Sequence, residues 1–308
     1  TIKDGLIYSI DNPASEAETI NAHGATIIPG FIDSHFHLRN LGKRLDMIQL
    51  KGVDSLKKIQ KLVIEECHKK QSGDIIFGFG WDQNLWETKD FPDAEILNQV
   101  APDNPIILTR IDGHATWVNQ KCLDEAGYKP ENGIPDGGKI INNCILIDNA
   151  MSITNHLNRE NTFENVKKWV RDATNIIIKR GICSVHDAWQ NATIIDAIRS
   201  LINDGEFPIR CYGMLDGSDY ELCERFFQDG FLESEYYNIR SVKAFIDGAL
   251  GSRGAALLEP YSDDTHNCGL ILISAEEFND LAERCSLNNY QLNTHAIGDR
   301  GNRMVIDT

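Results

Sequence analysis

The spacing of apolar and polar positions divides the chain into two unlike stretches. In the second half, apolar runs of strand length alternate with segments of helical period. "ICSVHDAW", "FPIRCYGML", "IRSVKAFIDGA" and "YQLNTHAIG" read as strands, short apolar runs bounded by turn formers. "NTFENVKKWVRDATNIIIKRG", closing on Gly181, and the stretches near 191–204, 218–230 and 275–287 put apolar residues on one helical face. Repeated strand–helix alternation predicts a parallel sheet closed by crossover helices.

The first half is less regular. Residues 1–28 are short apolar runs broken by "DNP" and "HG", which suits a few β-strands. "TIIPGFIDSH" predicts a fully apolar strand of the kind buried in a parallel sheet. "DSLKKIQKLVIEECHKK" predicts a helix whose early Asp and late lysines suit the helix dipole. "DIIFGFGW" and "NPIILTRID" are two further apolar runs. Residues 38–155 read as a large insertion after the first barrel strand. A separate domain is the alternative, though no Pro/Gly/Ser linker marks a boundary.

The 308 residues, 42% of them hydrophobic, suffice for a barrel of about 250 residues with insertions. A net charge of -16 without a basic patch argues against a nucleic-acid partner. The eight cysteines form no C-x-x-C pair and read as reduced thiols of a cytoplasmic protein. No apolar run reaches membrane-spanning length, and no signal peptide is expected. The chain starts at Thr1 without Met and stops at Thr308 in what reads as the first turn of a helix. Both ends are expected to be trimmed from a longer protein.

Candidate chemistry begins at "PGFIDSHFHL". Residues i and i+2 of a strand point the same way, so His35 and His37 face one side near a strand's C-terminal end. Two neutral imidazoles so placed suit one metal ion; a pair of polar residues at a strand end is the plain alternative. Lys243 lies in the apolar strand "SVKAFIDG". It reads either as a core-edge residue that snorkels to water or pairs with Asp247, or as a lysine carboxylated by carbon dioxide to bridge two metals. His295 in "NTHAIGD" and His186 in "SVHDA" sit at strand ends. His114 in "DGHATW", with Asp112 to orient it, reads as a substrate contact or as turn chemistry. Arg253 reads as a holder of a substrate carbonyl or carboxylate, or as an ordinary loop cation. Trp81, Trp86 and Trp117 suit an apolar pocket wall. His23, His68, His156 and His266 read as surface or loop residues.

"PGFIDSHFH" resembles the opening motif of the amidohydrolase superfamily of metal-dependent hydrolases. "DGHATWVNQKCL", "VKAFIDGALGSRGAALLEPYSD" and "THAIGDRGNRMVID" are similar to the YtcJ-like branch, which includes N-substituted formamide deformylase. The resemblance runs through the whole chain and implies a (β/α)8 TIM-type barrel, partial here, with a small flanking β-sandwich. The domain expectation is part of that sandwich at 1–28 and the barrel, strands one to five, at 29–308. The strands would be "PGFIDSHFH", "CSVHDA", "RCYGML", "VKAFID" and "LNTHAIG". The resemblance implies a divalent metal, zinc before iron or manganese, in one or two ions. His35, His37, carboxylated Lys243 and His295 would be its ligands, with Lys243 and His295 serving catalysis. Substrate contact would fall to His114, Asp112, Trp117, Arg253 and His186. The superfamily's strand-six histidine and strand-eight aspartate fall outside this chain. The implied activity is hydrolysis of a C–N bond in an amide, N-acyl or N-formyl small molecule. The rival is a non-catalytic protein of the same fold kept for binding or assembly. A homo-oligomer is left open.

Overall fold

The computed structural model describes residues 1–3, 5–10, 18–135, 137–157, 162–251 and 253–308. β1 (Ile2–Lys3) and β2 (Leu6–Ile7) pair antiparallel. β3 (Phe31–Phe36) runs through His37 into α1 (Leu38–Leu45). The next segment carries β4 (Ile48–Gln49), α2 (Leu56–Cys67), β5 (Ile76–Trp81), α3 (Glu95–Asn98), β6 (Ile106–Arg110), β7 (Ala115–Val118), α4 (Gln120–Glu125), β8 (Gly138–Ile141) and β9 (Ile145–Asp148). There follow α5 (Phe163–Ile178), β10 (Ile182–Gln190), α6 (Ala192–Asn203), β11 (Arg210–Asp216), α7 (Tyr220–Asp229), β12 (Leu232–Glu233) and β13 (Tyr237–Phe245). The chain closes with α8 (Ala275–Leu287), β14 (Gln291–His295) and α9 (Asp299–Asp307).

β3, β10, β11, β13 and β14 are parallel neighbours in that order, and β12 adds antiparallel to β13. This curled half-barrel sheet is the arrangement that the strand–helix alternation predicts. One face carries Val185, Cys211, Leu215, Ile239 and Val242, which pack with Val170, Ile177, Ile198, Leu222 and Leu281 of the helices. The helices start where side chains satisfy free backbone donors. Thr162, Asn191 and Asp219 accept the N–H three residues on at α5, α6 and α7. Ser274 and Glu277 form a reciprocal capping box at α8.

The segment from β4 to β9 builds its own mixed sheet, in the order β4-β5-β6-β7-β9-β8. It has apolar clusters of its own, one around Trp81, Trp86 and Trp117, another around Val118, Cys122 and Leu146. Asn119 ties this layer together: its Oδ1 accepts from the Ile106 and Cys122 N–H groups, and its Nδ2 donates to the Ala101 and Asn104 carbonyls. The segment leaves and rejoins the half-barrel at one place. A Cβ on Gly42 of α1 would lie 1.9 Å from the Trp169 carbonyl oxygen of α5, so the helices touch backbone to backbone. Asp46 then accepts from Lys168 at 2.6 Å and from Trp169 Nε1 at 3.2 Å.

Two expectations meet a different outcome in the details. Residues 26–30 are not strand, and the strand there is Phe31–Phe36. Phe31 and Ile32 are 55% and 66% exposed, because among the described residues β3 pairs with β10 alone and nothing covers its other edge. For residues 1–28, the described strands are the β1–β2 pair; the break read at 11–13 lies outside the described residues.

Candidate metal centre

His35 and His37 leave the C-terminal end of β3, their rings 5.3 Å apart between centroids and edge to face. Asp33, two residues earlier, accepts the His35 backbone N–H. His37 Nδ1 donates to the Ala188 carbonyl oxygen of β10 at 2.8 Å. That bond fixes the ring and leaves Nε2 with its lone pair free. The two rings line an open cleft of about 570 Å³ with Asp33, Asn40, Arg44 and Phe79. Burial pushes His35 below its ordinary value, and the positive Lys243 and the neighbouring His37 push it the same way. His35 therefore stays neutral, the form that binds metals.

Lys243 lies on β13, in register with Asp216 of β11 on one side and Asn293 of β14 on the other. It is 4% exposed. Its Nζ lies 5.1 Å from the centre of the Phe245 ring, and no carboxylate pairs with it among the described residues. Burial alone pushes its pKa down. Asp247 does not pair with it. That carboxylate is enclosed and accepts three backbone N–H groups, from Ala256, Ile297 and Gly298, at 2.7–2.9 Å. In register with Lys243, Asn293 Nδ2 is buried without a hydrogen-bond partner among the described residues. A second cleft of about 250 Å³ is lined by Lys243, Phe245, Asp216, Ser218 and Glu277. His295 ends β14, beside Phe245 at 5.5 Å between ring centres.

These residues fit a divalent ion in donor chemistry. Two imidazoles stand side by side, one with its far nitrogen already tied down. A buried amide and a lysine, neither with a polar partner among the described residues, are register neighbours on adjacent strands. Among the described residues no three His, Cys, Asp or Glu side chains are gathered on one point.

The remaining candidates fall elsewhere. His186 packs against Tyr212 with tilted rings, 5.2 Å between centres, and Tyr212 donates to Gln291. Arg253 forks onto Asp263 at 2.9 and 3.2 Å. Asp112 pairs with Arg110 and accepts the His114 backbone N–H, a local turn. The carboxylate that meets the His114 ring is Asp148, at 3.0 Å, which sequence spacing gave no reason to single out. Trp117 is wholly buried against the stacked pair Trp81 and Trp86, its Nε1 donating to the Asp93 carbonyl. The three tryptophans form core of the β4–β9 segment.

All eight cysteines are free. Among the described residues no helix is long and apolar enough to cross a membrane.

Known proteins share this plan. Putative amidohydrolase YtcJ of Bacillus subtilis is 28% identical, over 95% of this chain and 57% of its own length. N-substituted formamide deformylase of Arthrobacter pascens is 24% identical, over 96% of this chain and 57% of its own. The crystal structure of an uncharacterized metal-dependent hydrolase from Pyrococcus furiosus matches with a TM-score of 0.74 at 29% identity, over 91% of this chain and 57% of that one. The chain spans about half the length of the curated relatives it matches. A family model covers residues 18–308, from before β3 to the end of α9, and by it the chain belongs to the amidohydrolase family.

Proposed function

We propose that the chain is the part of a metal-dependent hydrolase that holds its first four metal ligands, and that the whole protein cleaves a C–N bond in an amide, N-acyl or N-formyl small molecule. The observation that carries this is Lys243: buried and, among the described residues, without an anionic partner, in register with Asn293, whose amide has no hydrogen-bond partner among those residues either. Burial favours the neutral amine. Its Nζ adds to carbon dioxide, forming the N–C bond as one proton leaves the nitrogen. The product is a carbamate whose oxygens are acceptors for Asn293 and ligands for a cation. His35 and His37 supply neutral imidazole nitrogens from β3, and His295 supplies one from β14.

A divalent ion held there, zinc by preference, supplies Lewis acidity and lowers the pKa of water to about 7. The protein's own part is to keep the four ligands oriented. Ala188 holds the His37 ring through Nδ1, and burial keeps His35 neutral. Substrate contact is assigned to His186 within the half-barrel, to Arg253 on the loop after β13 and to His114 on the β6–β7 turn of the neighbouring segment. The N-formyl class is supported by the likeness to the deformylase from Arthrobacter pascens.

Elemental analysis of the full-length protein tests the ligand set, followed by a screen of N-acyl and N-formyl amines. Wild type is expected to carry one or two metal ions, and Lys243→Ala to lose most of them. Short carboxylic acids are expected to restore part of the metal to Lys243→Ala by occupying the vacated bridge. Lys243→Arg is expected to be metal-poor, since guanidinium stays protonated and forms no carbamate. Wild-type metal content in Lys243→Arg would refute the carbamate.

A further inference from the structure

One end of the β4–β9 segment gathers polar side chains that its core does not use. Strand register puts Trp81 of β5 opposite Arg110 of β6, and Ala115 of β7 opposite Ile147 of β9. The carboxyl ends of the parallel strands β5 and β6 therefore lie in one row with the start of β7 and the end of β9. Parallel strands offer ligand sites at that end. β5 also reaches the metal cleft, since Phe79 lines it together with His35 and His37. Arg110 spans the row: it donates to Gln83 at 2.9 Å and pairs with Asp82 and Asp112. Asp112 Oδ1 accepts the His114 N–H over a turn made by Gly113 at φ 79°.

His114 and Asp148 meet twice. The Asp148 N–H donates to the His114 carbonyl at 3.0 Å, and His114 Nδ1 lies 3.0 Å from Asp148 Oδ1. A carboxylate only accepts, so in the neutral ring Nδ1 carries the proton and Nε2 the lone pair. Arg110 already takes Asp82 and Asp112. Among the described residues the His114 ring is the side-chain partner of Asp148, and Nε2 has no partner of its own. Stability does not account for the pair. Both side chains are more than half exposed, where such a contact adds little. Asp148 also sits at φ 49°, a left-handed backbone that a non-glycine residue adopts at a cost.

We propose that Asp148 is the positioning residue of His114: it fixes the ring in the Nδ1–H tautomer and presents Nε2 as a hydrogen-bond acceptor for an N–H of the substrate. An amide has one strong acceptor, its carbonyl, which a Lewis acid takes; the N–H is the donor left for a neutral imidazole.

The tautomer half stands alone; the substrate half rests on the C–N hydrolase reading above. Long-range ¹H–¹⁵N correlation spectra of the full-length protein at about pH 8 read the His114 tautomer, with His114→Gln as the assignment control. Wild type is expected to show Nδ1–H. Asp148→Gly removes the carboxylate while suiting the left-handed backbone, so the fold is kept, and mixed tautomers are expected. Asp148→Asn keeps an acceptor oxygen and is expected to retain Nδ1–H. With N-butylformamide, KM should rise roughly 2–10-fold in Asp148→Gly, with kcat close to wild type. Butyl formate, which has an oxygen in place of the N–H, should bind both proteins alike, as substrate or competitive inhibitor. A merely structural Asp148 would move the melting temperature and neither reading. An Nε2–H tautomer in wild type overturns the proposal, and so does an Asp148→Gly protein with the wild-type tautomer. Equal weakening of the formamide and the ester overturns the substrate half. If the full-length protein hydrolyses no amide, the C–N reading falls and takes the substrate contact with it, while the tautomer still decides the role of Asp148.

Discussion

Asp187 is an acid whose burial sets a measurable pH dependence. It is 2% exposed on β10, with Oδ1 accepting the Leu38 N–H at 2.7 Å and Oδ2 accepting from Gln190 at 2.6 Å. Gln190 in turn accepts from the Tyr237 hydroxyl. Burial raises the Asp187 pKa from 3.8 to about 6, against the opposing pull of these hydrogen bonds and the charge of Arg39. The folded state thus holds the proton more tightly than the unfolded chain. Its stabilising effect is full below pH 3.8 and is lost as pH rises through about 6. The full loss corresponds to about 3 kcal/mol, of which roughly 1 kcal/mol falls between pH 5.5 and 7.5. Other acids titrate over the same range, so the assay is a difference: urea unfolding of wild type and Asp187→Asn across that interval. Asparagine still accepts from Leu38 but turns an amide toward the Gln190 amide, a cost independent of pH. The variant should therefore gain on wild type by roughly 1 kcal/mol as pH rises from 5.5 to 7.5. A difference that stays flat, or that moves the other way, refutes the reasoning.

Further outcomes follow from the packing and the site. Gly42→Ala meets the Trp169 backbone, which cannot step aside, so the loss should be about 3 kcal/mol or more, seen as a Tm drop of roughly 6 °C or more by calorimetry. Ser274→Ala removes the side-chain half of the α8 capping box, in which Oγ accepts the Glu277 N–H, and should cost about 1 kcal/mol in denaturant titration, with metal uptake unchanged. Burial pushes the Cys122, Cys144 and Cys223 thiols up to about 12 and the Cys211 thiol well above its ordinary value, so these four should resist a thiol reagent at pH 8 until the protein unfolds. Asn293→Ala should weaken zinc retention in the full-length protein by removing the donor opposite Lys243, with the melting temperature nearly unchanged, as dialysis and elemental analysis would show.

Much of the half-barrel was legible because its cues are local. The apolar spacing of α5 to α8 and the runs of β10, β11 and β13 each fall within one window of the sequence. The exposed face of β3 was not legible, since "TIIPGFIDSH" reads alike whether or not a further strand covers it. Tryptophans are equally ambiguous: Trp81, Trp86 and Trp117 suit a pocket wall by composition, and only the fold shows them packed on each other. His35 and His37 could be picked out as a pair because their relation is two residues long. Asp148 opposite His114, Asn293 opposite Lys243 and the donors around Asp247 could not, as each contact is made by strand register or by loops that meet only in three dimensions.

The seam at Gly42, Asp46 and Trp169 bears on how the chain finds its fold. β3 must pair with β10, Phe31 opposite Ile182, across a very long stretch of chain. Closing so long a flexible loop costs about 4 kcal/mol in chain entropy. The β4–β9 segment has a sheet and apolar clusters to collapse around by itself, and its two ends emerge side by side at α1 and α5. If it folds first, the loop is already closed when β3 meets β10, and a distant pairing becomes a local one. The same geometry makes the segment a cassette: with entry and exit stitched together, its outer loops can be lengthened or exchanged without the parallel sheet registering the change.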